Sequence, residues 1–91
     1  MPGKDQMNLC IVSTYSCTFE DFSDVVDEYE ETFKEFIAEF ELVKVNGHKS
    51  IIMCHCTDME AFGEMMSSPE MKEWDKENNC VDIVYSLEKI N

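Results

Sequence analysis

Four short segments rich in β-branched and aromatic residues alternate with two segments of helical periodicity, and this order strongly constrains the fold. The predicted strands cover residues 8–16, 42–46, 50–56 and 80–87. The order is therefore β-α-β-β-α-β, which predicts a four-stranded antiparallel sheet with helices on one face. A chain of 91 residues has the length of one domain, and we expect that domain to span residues 1–91 with its core over 8–88.

The first helical segment is predicted over residues 19–41, with a capping-box variant formed by Thr18 and Asp21 at its start. Its apolar residues recur at steps of three and four, as in an amphipathic helix. They are Phe19, Phe22, Val25, Val26, Tyr29, Phe33, Phe36, Ile37 and Phe40.

The second helical segment is predicted to begin at Thr57, which forms a capping box with Glu60. It is interrupted at Ser67-Ser68-Pro69 and resumes towards Trp74, because proline suits the first turn of a new helix. Between the second and third strands, Asn46-Gly47 is typical of a hairpin turn.

The predicted strands do not alternate between apolar and polar residues, as strands do when one face of their sheet meets water. In the third strand, Ile51 and Met53 would lie on one face and Ile52 and Cys54 on the other. Helices cover only one face of such a sheet. Since a second copy under two-fold symmetry is the simplest cover for the other face, we predict a homodimer formed through it.

The charge balance excludes several classes of partner. Twenty Asp and Glu residues stand against seven Lys and Arg, for a formal net charge of −13. Such a surface repels nucleic-acid phosphates and anionic membranes. No apolar run approaches the roughly 18 residues of a membrane span, and Met1–Gln6 lacks the apolar core of a signal peptide. Five thiols in such a chain are best read as reduced, so we expect a cytoplasmic location.

The element order, the long first helix and the broken second helix resemble the dimeric α+β barrel superfamily, which includes the antibiotic-biosynthesis-monooxygenase-like proteins. The stretch 62–71 is similar to the helix–break–helix segment that precedes the last strand in that superfamily. The resemblance covers residues 8–88 and implies an α+β, ferredoxin-like βαββαβ fold in a bacterial protein. It also implies that two four-stranded sheets pack face to face.

The aromatic and methionine residues of the helical segments predict an apolar cavity between sheet and helices, although the same spacing also fits ordinary core packing. Four residues, Ser13, Tyr15, His55 and Tyr85, would supply its polar contacts. The full set of candidate ligand-binding residues is Ser13, Tyr15, Tyr29, Phe33, His55, Phe62, Met65, Met66, Trp74 and Tyr85.

His55 is the candidate for catalysis, because a histidine inside an apolar strand needs a polar partner. It would be a general base in the cavity or a satisfied histidine at an interface. Cys54 and Cys56 flank it, but strand alternation directs both thiols away from the imidazole. We therefore predict neither a metal site nor a cofactor.

These patterns predict a homodimeric protein that binds a small apolar or amphipathic molecule, lipid-like or aromatic, between sheet and helices. One alternative is a cofactor-free monooxygenase- or isomerase-like enzyme, in which His55 moves a proton. Another is an acidic interaction module for a basic protein partner, which would bind the first helix through Asp24, Asp27, Glu28 and Glu31.

Overall fold

The computed structural model describes residues 7–90 and contains four strands and four helices within that range. The strands are β1 (Leu9–Thr14), β2 (Ile37–Asn46), β3 (Lys49–Cys56) and β4 (Val81–Ser86). The helices are α1 (Phe19–Glu28), α2 (Glu30–Phe33), α3 (Met59–Met66) and α4 (Pro69–Glu77). Neighbouring strands are antiparallel in the order β2-β3-β1-β4, which confirms the predicted ferredoxin-like fold. The segment 1–6, on which the absence of a signal peptide was predicted, lies outside the described residues.

Helix α1 begins at the predicted capping box. The Thr18 hydroxyl accepts a hydrogen bond from the Asp21 N–H at 3.1 Å, and the Asp21 carboxylate accepts one from the Thr18 N–H at 3.4 Å. The prediction of one helix over residues 19–41 is wrong, however. Helix α1 ends at Glu28, α2 adds a single turn, and strand β2 starts at Ile37 rather than at residue 42.

The apolar residues after α2 fit both helical and strand periodicity, and pairing with β3 decides between the two. Phe40 lies opposite the buried Cys54 and faces the helices, whereas Glu39 and Glu41 face the other way. Residues 37–46 pair along the whole of β3, with irregularities near each end. These long-range backbone hydrogen bonds override a local pattern that is helical only in spacing.

The start of α3 also differs from the prediction. Asp58, rather than Thr57, caps this helix, because its carboxylate accepts hydrogen bonds from the N–H groups of Glu60 and Ala61, both at 3.1 Å. The Thr57 hydroxyl instead donates to the Phe36 carbonyl at 3.2 Å. It therefore ties the start of the helix to the segment that precedes β2.

The predicted break between the two halves of the second helical segment is confirmed. In the last turn of α3, the Ser67 hydroxyl donates to the Gly63 carbonyl at 2.6 Å. The Ser68 hydroxyl then accepts from the Met71 N–H at 3.4 Å and so caps α4. Pro69 occupies the first position of α4, where its missing N–H leaves no helical hydrogen bond unmade.

The helices cover one face of the sheet, and the core lies between them. On this face β1 contributes Leu9, Ile11 and Ser13, all buried. The opposite face is also apolar over β1, β3 and β4, as the sequence predicts, with Glu39 and Glu41 of β2 at its edge, and in the isolated chain it is open. We call it the open face; its apolar members are Cys10, Val12, Val43, Ile51, Met53, Ile83 and Tyr85.

The helices of residues 7–90 are too short or too polar to span a lipid bilayer.

Candidate functional site

A cavity of about 60 Å³ lies between the covered face of the sheet and helices α1, α3 and α4. We call it the helix–sheet cavity. Its apolar wall consists of Ile11, Phe22, Val25, Val26, Tyr29, Phe33, Ile37, Phe40, Ile52, Phe62, Met65, Met66, Met71 and Trp74. The carboxylic acids and the small polar side chains gather at one end, which we call the polar end and which consists of Ser13, Asp75, Cys80 and Asp82.

The structure brings seven of the ten predicted ligand-binding residues to this cavity: Ser13, Tyr29, Phe33, Phe62, Met65, Met66 and Trp74. Six of them form part of the apolar wall and one belongs to the polar end. The polar contacts expected from Tyr15, His55 and Tyr85 are not provided, because these side chains lie elsewhere.

Tyr15 and Tyr85 lie away from the cavity for different reasons. Tyr15 follows the last residue of β1 and is buried against Phe22, with ring centroids 4.7 Å apart and planes 10° from parallel. Burial raises the pKa of its hydroxyl, while the neighbouring Ser50 hydroxyl opposes that rise. Tyr85 pairs with Cys10 across β1 and β4, so its half-exposed side chain is on the open face.

His55 lies on the side of the sheet opposite the cavity. It alternates with the buried Cys54 and Cys56, so its ring is directed to the open face, where Glu39 is its neighbour in β2. Its Nδ1 atom is shielded from solvent and has no hydrogen-bond partner within residues 7–90. An imidazole in this place cannot move a proton for a molecule held in the helix–sheet cavity.

Cys54 faces the helices and is fully buried. Burial, together with the nearby Cys56 and Cys10, raises its pKa to about 11, so it remains a thiol at neutral pH. The sequence-based expectation that imidazole and thiols lie on opposite faces agrees with this geometry. These three side chains therefore do not form a joint ligand set.

The polar end forms where β1, β4 and α4 meet. Ser13 lies directly opposite Asp82, and its hydroxyl donates to Asp82 Oδ1 at 2.5 Å. Cys80 Sγ donates to the same oxygen at 3.5 Å. Asp75 reaches this group from α4, but its Oδ1 atom is inaccessible to solvent and has no hydrogen-bond partner in the described part of the chain. The polar end therefore contains one buried acceptor without a donor.

The environment of the polar end raises the pKa values of Asp75 and Cys80. Burial raises the pKa of Asp75, the neighbouring Asp82 carboxylate raises it further, and the nearby Cys80 thiol opposes the rise. Burial raises the pKa of the Cys80 thiol, and the two carboxylates add to the effect. Ligand atoms of Asp75, Cys80 and Asp82 all lie within 4.8 Å of one another, which is close enough to surround an ion. Since metals bind thiolates rather than thiols, however, this set is better suited to accept hydrogen bonds from a donor.

Three of the four polar residues were absent from the sequence-based candidates. Asp82 is a carboxylate inside an otherwise apolar strand, and that was the available signal. The sequence carries no comparable signal for Asp75, because this residue lies among many charged residues of α4.

A second groove lies outside the cavity and shares with it the side chains of Val25, Tyr29 and Trp74. Its volume is about 240 Å³, and its remaining lining residues are Glu28, Glu70, Glu73 and Glu77. We call it the acidic groove. Burial raises the pKa of Tyr29, and Glu70 and Glu28 contribute to the rise.

No protein-family model matches the sequence, and no curated protein sequence matches it. Several solved structures, however, match the fold of this chain. SnoaB, a cofactor-independent oxygenase from Streptomyces nogalater, aligns with a TM-score of 0.59 and 12% identity over 93% of this chain and 97% of its own. A protein from Deinococcus radiodurans that is assigned to the antibiotic biosynthesis monooxygenases gives a TM-score of 0.57 and 13% identity over 91% and 96%. At these identities the likeness is one of fold. The chain therefore has the ferredoxin-like α+β fold seen in antibiotic-biosynthesis-monooxygenase-like proteins, as its sequence resemblance predicts.

Proposed function

We propose that this protein binds a small apolar or amphipathic molecule in the helix–sheet cavity. The observation that carries the proposal is the division of the cavity into an apolar wall and one polar end. Ligand sites in proteins commonly have this composition, in which apolar surface supplies affinity and a few polar groups set the orientation.

The cavity is too small to hold an organic ligand without expanding. About 60 Å³ accommodates roughly two water molecules, whereas pockets for organic ligands usually reach about 300–1,000 Å³. Three methionines, Met65, Met66 and Met71, lie in the wall next to the break between α3 and α4. Methionine side chains are unbranched and flexible, so their movement would enlarge the cavity without unfolding either helix.

Binding can be followed through Trp74, the only tryptophan of the chain, which lies in the cavity wall. Toluene should raise Tm and shift the Trp74 emission. Met66→Ala should tighten toluene binding because it removes side-chain volume from the wall. Met59→Ala is the matched control, since Met59 lies on the same helix but is half-exposed and outside the cavity. A cavity that admits no apolar probe, even in Met66→Ala, would refute the binding function.

We also propose that the protein works as a homodimer joined through the open face. Support comes from the exposed apolar side chains there: Met53 is 37%, Ile83 49% and Tyr85 52% exposed. Contiguous apolar patches on soluble proteins commonly mark interaction sites. Because the patch belongs to a regular sheet, a two-fold axis through it would place the same surface of two chains in contact.

Light scattering after size exclusion tests the dimer. Ile83→Glu should give a monomer, because it places a charge in the proposed interface. Val84→Glu is the control: Val84 is 44% exposed on the same strand but points to the helix-covered side. A wild-type protein that is monomeric at micromolar concentration would contradict the proposal. So would a result in which Ile83→Glu and Val84→Glu dissociate the dimer to the same extent.

A second candidate function is that of a cofactor-free oxygenase or isomerase. Asp75 favours it, because a carboxyl group with a raised pKa inside a cavity can exchange a proton with a substrate. SnoaB, described as a cofactor-independent oxygenase, shares the fold. Oxygen uptake or isomerisation of a bound ligand that is lost in Asp75→Asn would support the enzyme. Binding without turnover would support the binding role alone.

A further inference from the structure

We propose that the ligand of the helix–sheet cavity is an apolar amine, with its ammonium group at Asp75 and Asp82 and its hydrocarbon part against the apolar wall. This inference rests on the proposed binding function, because it concerns the same cavity. The inference adds the chemical class of the ligand to the proposed function. Three features of the structure support an amine.

The first feature is the unbalanced charge of the polar end. Asp75 and Asp82 lie together, and no Lys, Arg or His lines the cavity among residues 7–90. Ser13 and Cys80 both donate to Asp82, whereas Asp75 Oδ1 receives no hydrogen bond from the described residues. An ammonium group supplies both the missing positive charge and the missing donor, since it carries N–H bonds and accepts none.

The second feature is the acidic groove outside the cavity. Tyr29 and Trp74 belong to both spaces, so they form the wall between them. A groove flanked by carboxylates raises the local concentration of cations, and aromatic faces attract cations at short range. The two lysines of α4, Lys72 and Lys76, line a neighbouring groove that shares Glu73 and Glu77 with the acidic groove, but neither lysine lines the acidic groove itself. A cation would thus meet carboxylates first, then aromatic rings, then the apolar wall.

The third feature is that the polar end disfavours ligands of other chemical classes. A carboxylate ligand would meet two carboxyl groups at close range without a compensating cation. An alcohol can donate one hydrogen bond to Asp75 but leaves the charge unbalanced. The expected order of affinity at neutral pH is therefore amine, then alcohol, with no binding of a carboxylate.

Four probes of similar size test this order: benzylamine, benzyl alcohol, toluene and benzoate. We expect benzylamine to bind at least about tenfold more tightly than toluene at pH 7, as measured by Trp74 emission and by Tm, and benzoate not to bind. Asp75→Asn should remove this advantage, so that benzylamine and toluene bind with similar affinity. Glu64→Gln, which neutralises an exposed carboxylate of α3 outside both spaces, should leave the advantage intact.

The pH dependence gives a second readout. The titratable groups facing Asp75 are Cys80 and Asp82, and the cavity wall adds Tyr29. Because protonation of Asp75 removes the charge that holds the ammonium, benzylamine affinity should fall as pH is lowered through the pKa of Asp75. Toluene affinity should stay constant over the same pH range. In Asp75→Asn, the affinity for benzylamine should depend less on pH.

The outcomes separate this inference from the proposed function. If toluene binds as tightly as benzylamine, the amine is refuted while the binding function stands. The assignment of an amine ligand is likewise refuted if benzyl alcohol binds as tightly as benzylamine, or if benzoate binds more tightly than benzylamine. If none of the four probes binds, the binding function itself fails. Should Asp75→Asn not fold, as judged by circular dichroism, Asp82→Asn replaces it, and the probe order on the wild-type chain still decides.

Discussion

Replacing Tyr15 with phenylalanine should stabilise this protein. The Tyr15 side chain is 5% exposed, and its hydroxyl has no hydrogen-bond partner among the described residues. Its ring stacks on Phe22 with a centroid distance of 4.7 Å, a contact that phenylalanine keeps. The substitution therefore removes an unsatisfied polar group and little else.

The size of the effect follows from the cost of such a group. A buried polar atom without a partner disfavours the folded state by about 1–3 kcal/mol. Removing the hydroxyl relieves this cost but leaves a gap of one atom, which offsets part of the gain. We expect the free energy of unfolding to rise by about 1 kcal/mol. For a domain of this size, that raises Tm by about 4–8 °C.

Urea denaturation followed by Trp74 fluorescence measures the change. Tyr85→Phe in the monomeric Ile83→Glu background is the matched control, because Tyr85 is 52% exposed on the open face of the isolated chain; its effect should stay within about 0.5 kcal/mol. Ser50, fully buried next to Tyr15, also has a hydroxyl without a partner in the described chain, so a double-mutant cycle of Ser50→Ala and Tyr15→Phe measures whether the two neighbouring hydroxyls interact. A loss of stability in Tyr15→Phe, or coupling of about 1 kcal/mol between the two, would show that the hydroxyls are hydrogen-bonded and would refute the reasoning.

Three further substitutions test the polar end and the ends of the elements. The raised pKa of Asp75 means that its ionisation opposes folding, so stability is lost as pH rises through that pKa; Asp75→Asn should raise Tm at pH 7 and change it little at pH 3. The Asn8 amide accepts from the Cys56 N–H at 2.8 Å and donates to the Cys56 carbonyl at 2.9 Å, so Asn8→Ala should cost about 1–2 kcal/mol in chemical denaturation. Thr18→Ala removes the cap of α1 and should cost about 1 kcal/mol, whereas serine at this position should restore most of it.

Several features could be predicted from the sequence because they depend on neighbouring residues. The cap at Thr18 needs only a hydroxyl and an N–H three residues later. The break before α4 needs only a proline at a first helical position. The element order follows from local periodicity, and with it the ferredoxin-like arrangement. The aromatic and methionine residues that the helices contribute to the cavity wall could be named for the same reason, because helical spacing places them on one side.

Tertiary structure alone decided the start of β2 and the facing of the strands. Residues 37–43 fit either period, and only the pairing partner β3 selects the strand. A strand that is apolar on both sides carries no local sign of which side the helices cover, and a shift of one residue exchanges the two faces. His55 and Tyr85 are therefore on the open face, although the sequence alone allowed either.

The polar end is the feature of the site that depends most on tertiary structure. Asp75 comes from α4, Asp82 from β4 and Ser13 from the strand next to β4. Their chemistry arises from mutual approach: burial and the Asp82 charge raise the pKa of Asp75, and neither is visible in the local sequence. The sequence by itself determined that this chain builds a sheet apolar on both faces with helices rich in aromatic and methionine residues. Only the folded chain shows which face encloses a cavity and which carboxyl groups stand at its end, because both depend on contacts between segments far apart in the chain.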